Sequence, residues 1–218
     1  MFDETSMTAV LAELRYLPLK KMTYKASWSS VDVEHFLFFS RWGGGKYLSG
    51  EFGLRNVAAE RFAIECQTLF AWPLFRDLRF DVRYSCSMRF SLGMLADWPT
   101  RSSLATSTMS AEAVADKVKF DVQNFLFPSV RSVLSTAELF SFLVKDIEPS
   151  RWFRASGALR AAKIVHLGRQ LGVKTDELRS ILKSHLKEIG NSIGRSESGE
   201  ALDPSAFIEK VLHHSELA

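Results

Sequence analysis

Leu78-Arg79-Phe80-Asp81-Val82-Arg83-Tyr84-Ser85-Cys86-Ser87-Met88-Arg89-Phe90-Ser91-Leu92 alternates apolar and polar side chains over fifteen residues without an error. Successive side chains of a strand point to opposite faces, so the spacing predicts one long strand, or two joined end to end. The even positions make an apolar face. The odd positions make a wet one, on which Arg79, Arg83 and Arg89 stand with serines between them. A strand with one solvated face belongs to an antiparallel sheet, and the apolar face of that sheet needs helices to cover it.

Upstream, Met7, Val10, Leu11, Leu14 and Leu17 recur at helical spacing and predict an opening helix that Pro18 stops. Met22, Tyr24, Ala26 and Trp28 then alternate. Residues 31–42 (VDVEHFLFFSRW) and 46–55 (KYLSGEFGLR) read as the two arms of a hairpin broken at Gly43-Gly44-Gly45. Asn56 can cap a helix reaching about Phe70, which would join the opening helix as the cover of the sheet.

Downstream, seven of the eleven residues from Thr100 to Ser110 are Ser or Thr, the composition of a linker or long surface loop. Beyond it the period changes from 2 to 3.6, and Val114, Val118, Val122, Phe125 and Leu126 share one helical face up to Pro128. Ser135 and Glu138 have capping-box spacing ahead of another helix. Residues 155–171 and 175–189 form a helical pair broken at Gly172. The stretch 190–200 reads as flexible, and Asp203-Pro204 opens a last helix. The whole predicts an α+β fold: an antiparallel sheet covered by helices on one face, then a helical C-terminal region. The expected division is a sheet domain over 1–99, a linker over 100–110 and a helical region over 111–218.

Among 218 residues, 46% are hydrophobic and 24% charged, with 17 Phe and 5 Trp. This is a chain that can bury a full core without disulfides or metals. The net charge of +3 is spread evenly: 13 basic against 11 acidic residues over 1–109, and 15 against 14 over the rest. Neither half carries the charge of a polyanion binder. The first six residues hold Asp3 and Glu4 where a leader peptide would be basic, and no apolar run approaches the ~20 residues of a membrane span. A cytoplasmic protein away from the membrane is expected, with Cys66 and Cys86 as buried, reduced thiols.

No catalytic or cofactor motif emerges. Gly43-Gly44-Gly45-Lys46 lacks both the earlier glycine of a phosphate loop and the Ser or Thr after its lysine, so it reads as a mobile hairpin tip. Arg41, Trp42, Lys46 and Tyr47 at that tip suit a contact loop, because exposed aromatics and arginine favour interfaces. His35, His166, His185, His213 and His214 form no ligand spacing, and no metal is expected. Asp116 and Asp121, or Glu60 and Glu65, stand five apart, on different sides of a helix.

One segment resembles the helix-turn-helix pattern of DNA-binding proteins: Gly168, a turn glycine at Gly172, and Leu178 six residues further. The resemblance implies a recognition helix starting at Thr175, with Thr175, Arg179 and Lys183 as nucleic-acid contacts. Asp176 and Glu177 stand in its first turn, where they would repel phosphate and where an ordinary helix start favours them.

The overall order also resembles a group of small uncharacterised bacterial α+β proteins encoded beside toxin genes and regarded as immunity proteins. The resemblance runs over residues 7–145. It rests on Lys20-Lys21-Met22-Thr23-Tyr24 with Trp28, the arm ending Phe52-Gly53-Leu54-Arg55, the strand ending Ser91-Leu92-Gly93-Met94-Leu95, and Pro128 before a short helix. It implies a non-catalytic cytoplasmic protein, without cofactor, that binds another protein. No binding residue is transferred from the resemblance; the residue pattern itself places a contact surface at Arg41, Trp42, Lys46 and Tyr47 and at Arg79, Arg83 and Arg89, with a nucleic-acid-binding regulator as the competing reading.

Overall fold

The computed structural model describes residues 3–69, 86–99, 103–145, 157–193 and 203–217. The elements are α1 (Glu4–Glu13), β1 (Tyr16–Lys20), β2 (Thr23–Ala26), β3 (Glu34–Trp42), β4 (Tyr47–Arg55), α2 (Val57–Leu69), β5 (Met88–Ser91), α3 (Leu92–Leu95) and β6 (Leu104–Ala105). They continue with α4 (Ala111–Asp121), a π-helical turn (Val122–Leu126), α5 (Phe127–Val130), α6 (Thr136–Val144), α7 (Gly157–Gln170), α8 (Thr175–Ser184), α9 (Leu186–Ile193) and α10 (Pro204–Leu217). The strands form one antiparallel sheet in the order β1-β2-β3-β4-β5, with β6 also paired to β4. The fold is α+β with a helical C-terminal region.

Two compact units are interleaved along the chain. The first joins residues 1–54 and 88–135, and so holds nearly all of the sheet together with α1, α3, α4 and α5. The second joins 55–87, 136–146 and 155–218, and every element that lies wholly within it is a helix among the described residues. This partition departs from the division expected at 99 and 111. The helices at 111–130 belong with the sheet, while α2 belongs with the C-terminal helices, where it packs along α7. The Ser/Thr-rich stretch is also more than a linker. Leu104 pairs with Leu48 and Ala105 with Tyr47, which ties residues 103–106 to the sheet.

In the sheet unit, the register places Tyr16, Tyr24, Ala26, His35, Leu37 and Phe39 on one face, which Phe52, Leu54, Met88 and Phe90 continue. All ten are buried. Helix α1 lies against this layer, with Met7 and Leu11 fully buried and the Thr8 hydroxyl 3.2 Å from Tyr24 Oη. α1 starts at an Asp3 cap, whose carboxylate accepts from the Thr5 and Ser6 amides, and ends earlier than expected because Arg15 turns to a φ of +62°. Pro18 is therefore not a helix stop but part of the edge strand β1. Ser27 N–H donates to Arg15 C=O (2.8 Å), so alternation turns the main chain of Pro18 toward the outer edge, where a missing N–H blunts pairing with another strand.

Of the long alternating stretch, residues 78–85, with Arg79 and Arg83, lie outside the described residues. Over 86–92 the apolar face is core as expected, but the other face is not wet: Ser87 is fully buried and Ser91 nearly so. Ser87 Oγ accepts from the Asn56 N–H (3.1 Å), and Ser91 Oγ accepts from Met94 N–H (3.2 Å) as the cap of α3.

Val114, Val118, Val122, Leu126 and Val130 are all buried at steps of four. Each such step overshoots an α-helical face by about 40°. The π turn at Val122–Leu126 takes back part of that drift, so Leu126 and Val130 stay inside and Phe125, expected in the core, is exposed beside Phe120.

Candidate interaction surface

The β3-β4 hairpin ends in three glycines with φ of +59°, +66° and +87°, a left-handed run that side chains with a Cβ adopt at a cost. Gly45 N–H donates to Trp42 C=O (3.1 Å), closing the turn. Thr106 holds it from the side: its hydroxyl donates to Gly45 C=O (3.0 Å) and its N–H to Lys46 C=O (2.8 Å). Trp42 lies flat on Tyr47, with ring centroids 4.3 Å apart and planes 22° apart, and its Nε1–H donates to Ser103 Oγ (3.1 Å). The expected mobile tip is thus fastened by the Ser/Thr-rich stretch, and it still presents 38% of Trp42 to solvent. Arg41 and Lys46 flank it, both exposed.

The sheet register adds two residues that the sequence reading missed. Phe39 N–H donates to Met22 C=O (2.8 Å) and Thr23 lies opposite Phe38, so the turn between β1 and β2 falls at the same end of the sheet as the glycine tip. That turn carries Lys20 and Lys21, both exposed. Four cations and a stacked Trp-Tyr pair therefore share one end of the sheet. The Lys20-Lys21 doublet was visible in the sequence, but only the strand pairing brings it to the hairpin tip.

Arg89 is placed differently. It forms an ion pair with Glu51 and lies 5.9 Å over the Phe38 ring, with its side chain 19% exposed. This is an internal salt bridge on a covered face, not a member of an open arginine platform.

The helix-turn-helix-like segment does form a tight helix pair, α7 and α8. Gly172 N–H donates to Arg169 C=O (3.0 Å) and Val173 N–H to Gly168 C=O (2.9 Å), a Schellman closure with Gly172 at φ +74°. The residues assigned to nucleic acid are engaged within the chain, however. Arg179 grips Glu209 of α10 through two bonds of 2.7 and 3.1 Å and also pairs with Asp176 at 2.5 Å. Thr175 Oγ1 lies 3.3 Å from Glu216 Oε1, and Lys183 is exposed.

Cys66 and Cys86 are buried and not joined in a disulfide, and burial pushes the Cys66 thiol up to about 12. Among the described residues no three His, Cys, Asp or Glu side chains gather as a metal site requires, and no helix is long and apolar enough to cross a membrane. Asp116 and Asp121 stay apart in role: Asp121 is fully buried, accepting from Trp98 Nε1 (2.7 Å) and paired with Lys117.

His35 is the most perturbed histidine. Its Nε2 lies 2.7 Å from Val133 C=O, and burial drives its pKa from 6.5 down to about 4, against a small upward effect of that carbonyl. The unfolded chain takes up the proton near pH 6.5 and the folded protein only near 4, so stability is full above pH 6.5 and falls as pH drops through this window. The expected loss approaches about 3 kcal/mol by pH 4, with half-buried His166 acting in the same direction. Urea midpoints measured from pH 7 to 4 check this: His35→Gln should flatten the decline, and an identical slope in both proteins would count against it.

Compared with protein-family models, with curated proteins and with solved structures, the chain matches none.

Proposed function

We propose that this protein works without catalysis, by binding another protein through the Trp42 end of its sheet. Following the resemblance of residues 7–145, it would be a cytoplasmic bacterial immunity protein that neutralises a toxin. The observation that carries the binding role is the tip itself: a half-exposed tryptophan stacked on Tyr47, held in place by Ser103 and Thr106. Rigid, partly exposed aromatics lose little conformational entropy on binding and dominate interface energies. Lys21 and Lys46 beside it favour a partner with an acidic surface. The nucleic-acid reading has less support, because Glu209 and Asp176 already neutralise Arg179 and would repel a phosphate brought to it.

Quantitative capture from lysate of the source organism, read by mass spectrometry, tests the proposal. The unaltered chain and Lys187→Glu, which changes an exposed residue of α9, should retain the same stoichiometric protein. Trp42→Ala/Lys46→Glu should lose it. Equal recovery by all three proteins would overturn the assignment of the tip, and repeated failure to recover any stoichiometric protein would overturn the binding role.

A further inference from the structure

Inside the sheet unit three buried polar atoms make no hydrogen bond to protein: Tyr16 Oη, Trp28 Nε1 and His35 Nδ1. They belong to neighbouring rings, with Trp28 in contact with both of the others. Trp28 lies 4.4 Å from His35 and 5.8 Å from Tyr16, centroid to centroid. Phe127, within 6.5 Å of Tyr16 and 6.0 Å of Trp28, and Phe52, 5.7 Å from His35, form apolar walls. The Arg131 guanidinium covers Trp28 and Phe127. Tyr16 and His35 are fully buried. Leaving such groups unbonded is costly, so three in one cluster call for a common partner.

The chemistry of the three atoms defines that partner. A carbonyl only accepts, so the 2.7 Å contact with Val133 C=O puts the imidazole hydrogen on Nε2 and leaves Nδ1 a bare lone pair. Trp28 Nε1 only donates, and the Tyr16 hydroxyl can donate. We infer that Tyr16, Trp28 and His35 hold one internal water molecule. It accepts from the indole N–H and the phenol O–H and donates to His35 Nδ1. Three bonds is the usual complement of a buried water, and one donor-only, one acceptor-only and one hydroxyl group supply them. The water completes a chain of bonds from Val133 through His35 to β1. Together with the bond from Ser30 Oγ to Leu134 C=O, this chain fastens the stretch after α5 to the sheet.

Water-to-protein NOE and ROE spectra of the full ¹⁵N-labelled chain at neutral pH test the assignment. Trp28 Hε1 should show cross-peaks to the water line of opposite sign in the two experiments, the mark of a long-lived bound water. They should persist in Tyr16→Phe, which removes relay through the phenol proton. In the unaltered chain, the ¹⁵N shift of His35 Nδ1 should be that of a nitrogen accepting a hydrogen bond, a reading that needs no variant to fold. Absence of the cross-peak, equal signs from simple exchange, or an Nδ1 shift typical of an unbonded lone pair would each overturn the inference.

Discussion

Replacing Lys163 by methionine is expected to destabilise the protein by about 3–5 kcal/mol, the usual cost of stranding one member of a buried ion pair. Lys163 of α7 and Glu60 of α2 are almost wholly buried, with Nζ 3.0 Å from Oε1, and the ammonium also donates to the Cys86 carbonyl at 3.1 Å. The variant leaves the buried Glu60 carboxylate without its Lys163 counter-ion and removes the bond from the ammonium to the Cys86 carbonyl. Replacing both members, Glu60→Leu with Lys163→Met, removes the stranded charge along with its partner. It should recover most of the loss, since a buried pair and a well-packed apolar pair are often of similar stability. Urea unfolding of the two single variants and the double variant forms a mutant cycle. A single variant that unfolds at the wild-type midpoint would show that the pair does not have the burial described.

The second large effect is expected from Gly157→Ala. A Cβ at Gly157 would stand 2.6 Å from the backbone carbon and oxygen of Glu188 and 2.9 Å from the Ile189 nitrogen, so α7 and α9 must separate to admit it. The move would also strain the 2.6 Å bond from Gly157 N–H to Ser192 Oγ. A cost of about 2–3 kcal/mol follows from overpacking of this kind. Gly168→Ala provides the contrast. Its Cβ would meet side-chain atoms alone, Leu178 Cδ2 at 2.4 Å and Phe140 Cε2 at 3.1 Å, which can yield where backbone cannot, and alanine is favoured over glycine in a helix by ~1 kcal/mol. Thermal unfolding should separate the two variants clearly, with Gly168→Ala close to wild type. Equal destabilisation would contradict the distinction between rigid and yielding neighbours.

Much of the architecture was legible in the residues. The alternation on either side of Gly43–Gly45 and the cap at Asn56, whose Oδ1 accepts from Ala59 N–H at 2.9 Å, correspond directly to β3, β4 and α2. The glycine pair 168 and 172 marks a close helix crossing and a Schellman turn. What was not legible depends on long-range pairing. Alternation could not show that Ser87 and Ser91 are buried, because a polar residue that finds a backbone partner looks the same in sequence as one facing water. The period at 114–126 could not announce a π turn, and so Phe125 changed sides. Nor could composition show that a Ser/Thr-rich stretch returns to pair with β4 and brace the hairpin tip.

The candidate surface was legible in part for the same reason. Trp42 and Tyr47 stand out as aromatics beside a glycine turn, and Arg41 and Lys46 as their basic neighbours. Lys20 and Lys21 join them only through the register of β2 on β3. Arg179 met its acidic partner only in three dimensions, since Glu209 is thirty residues away.

Amide hydrogen exchange of the full chain, with and without the captured partner protein, locates the binding surface on the sheet. Protection on binding should be concentrated in residues 39–48 and at the Lys20-Lys21 turn, and lost together with binding in Trp42→Ala. Protection confined to the helices 157–193, with residues 39–48 unchanged, would contradict that placement.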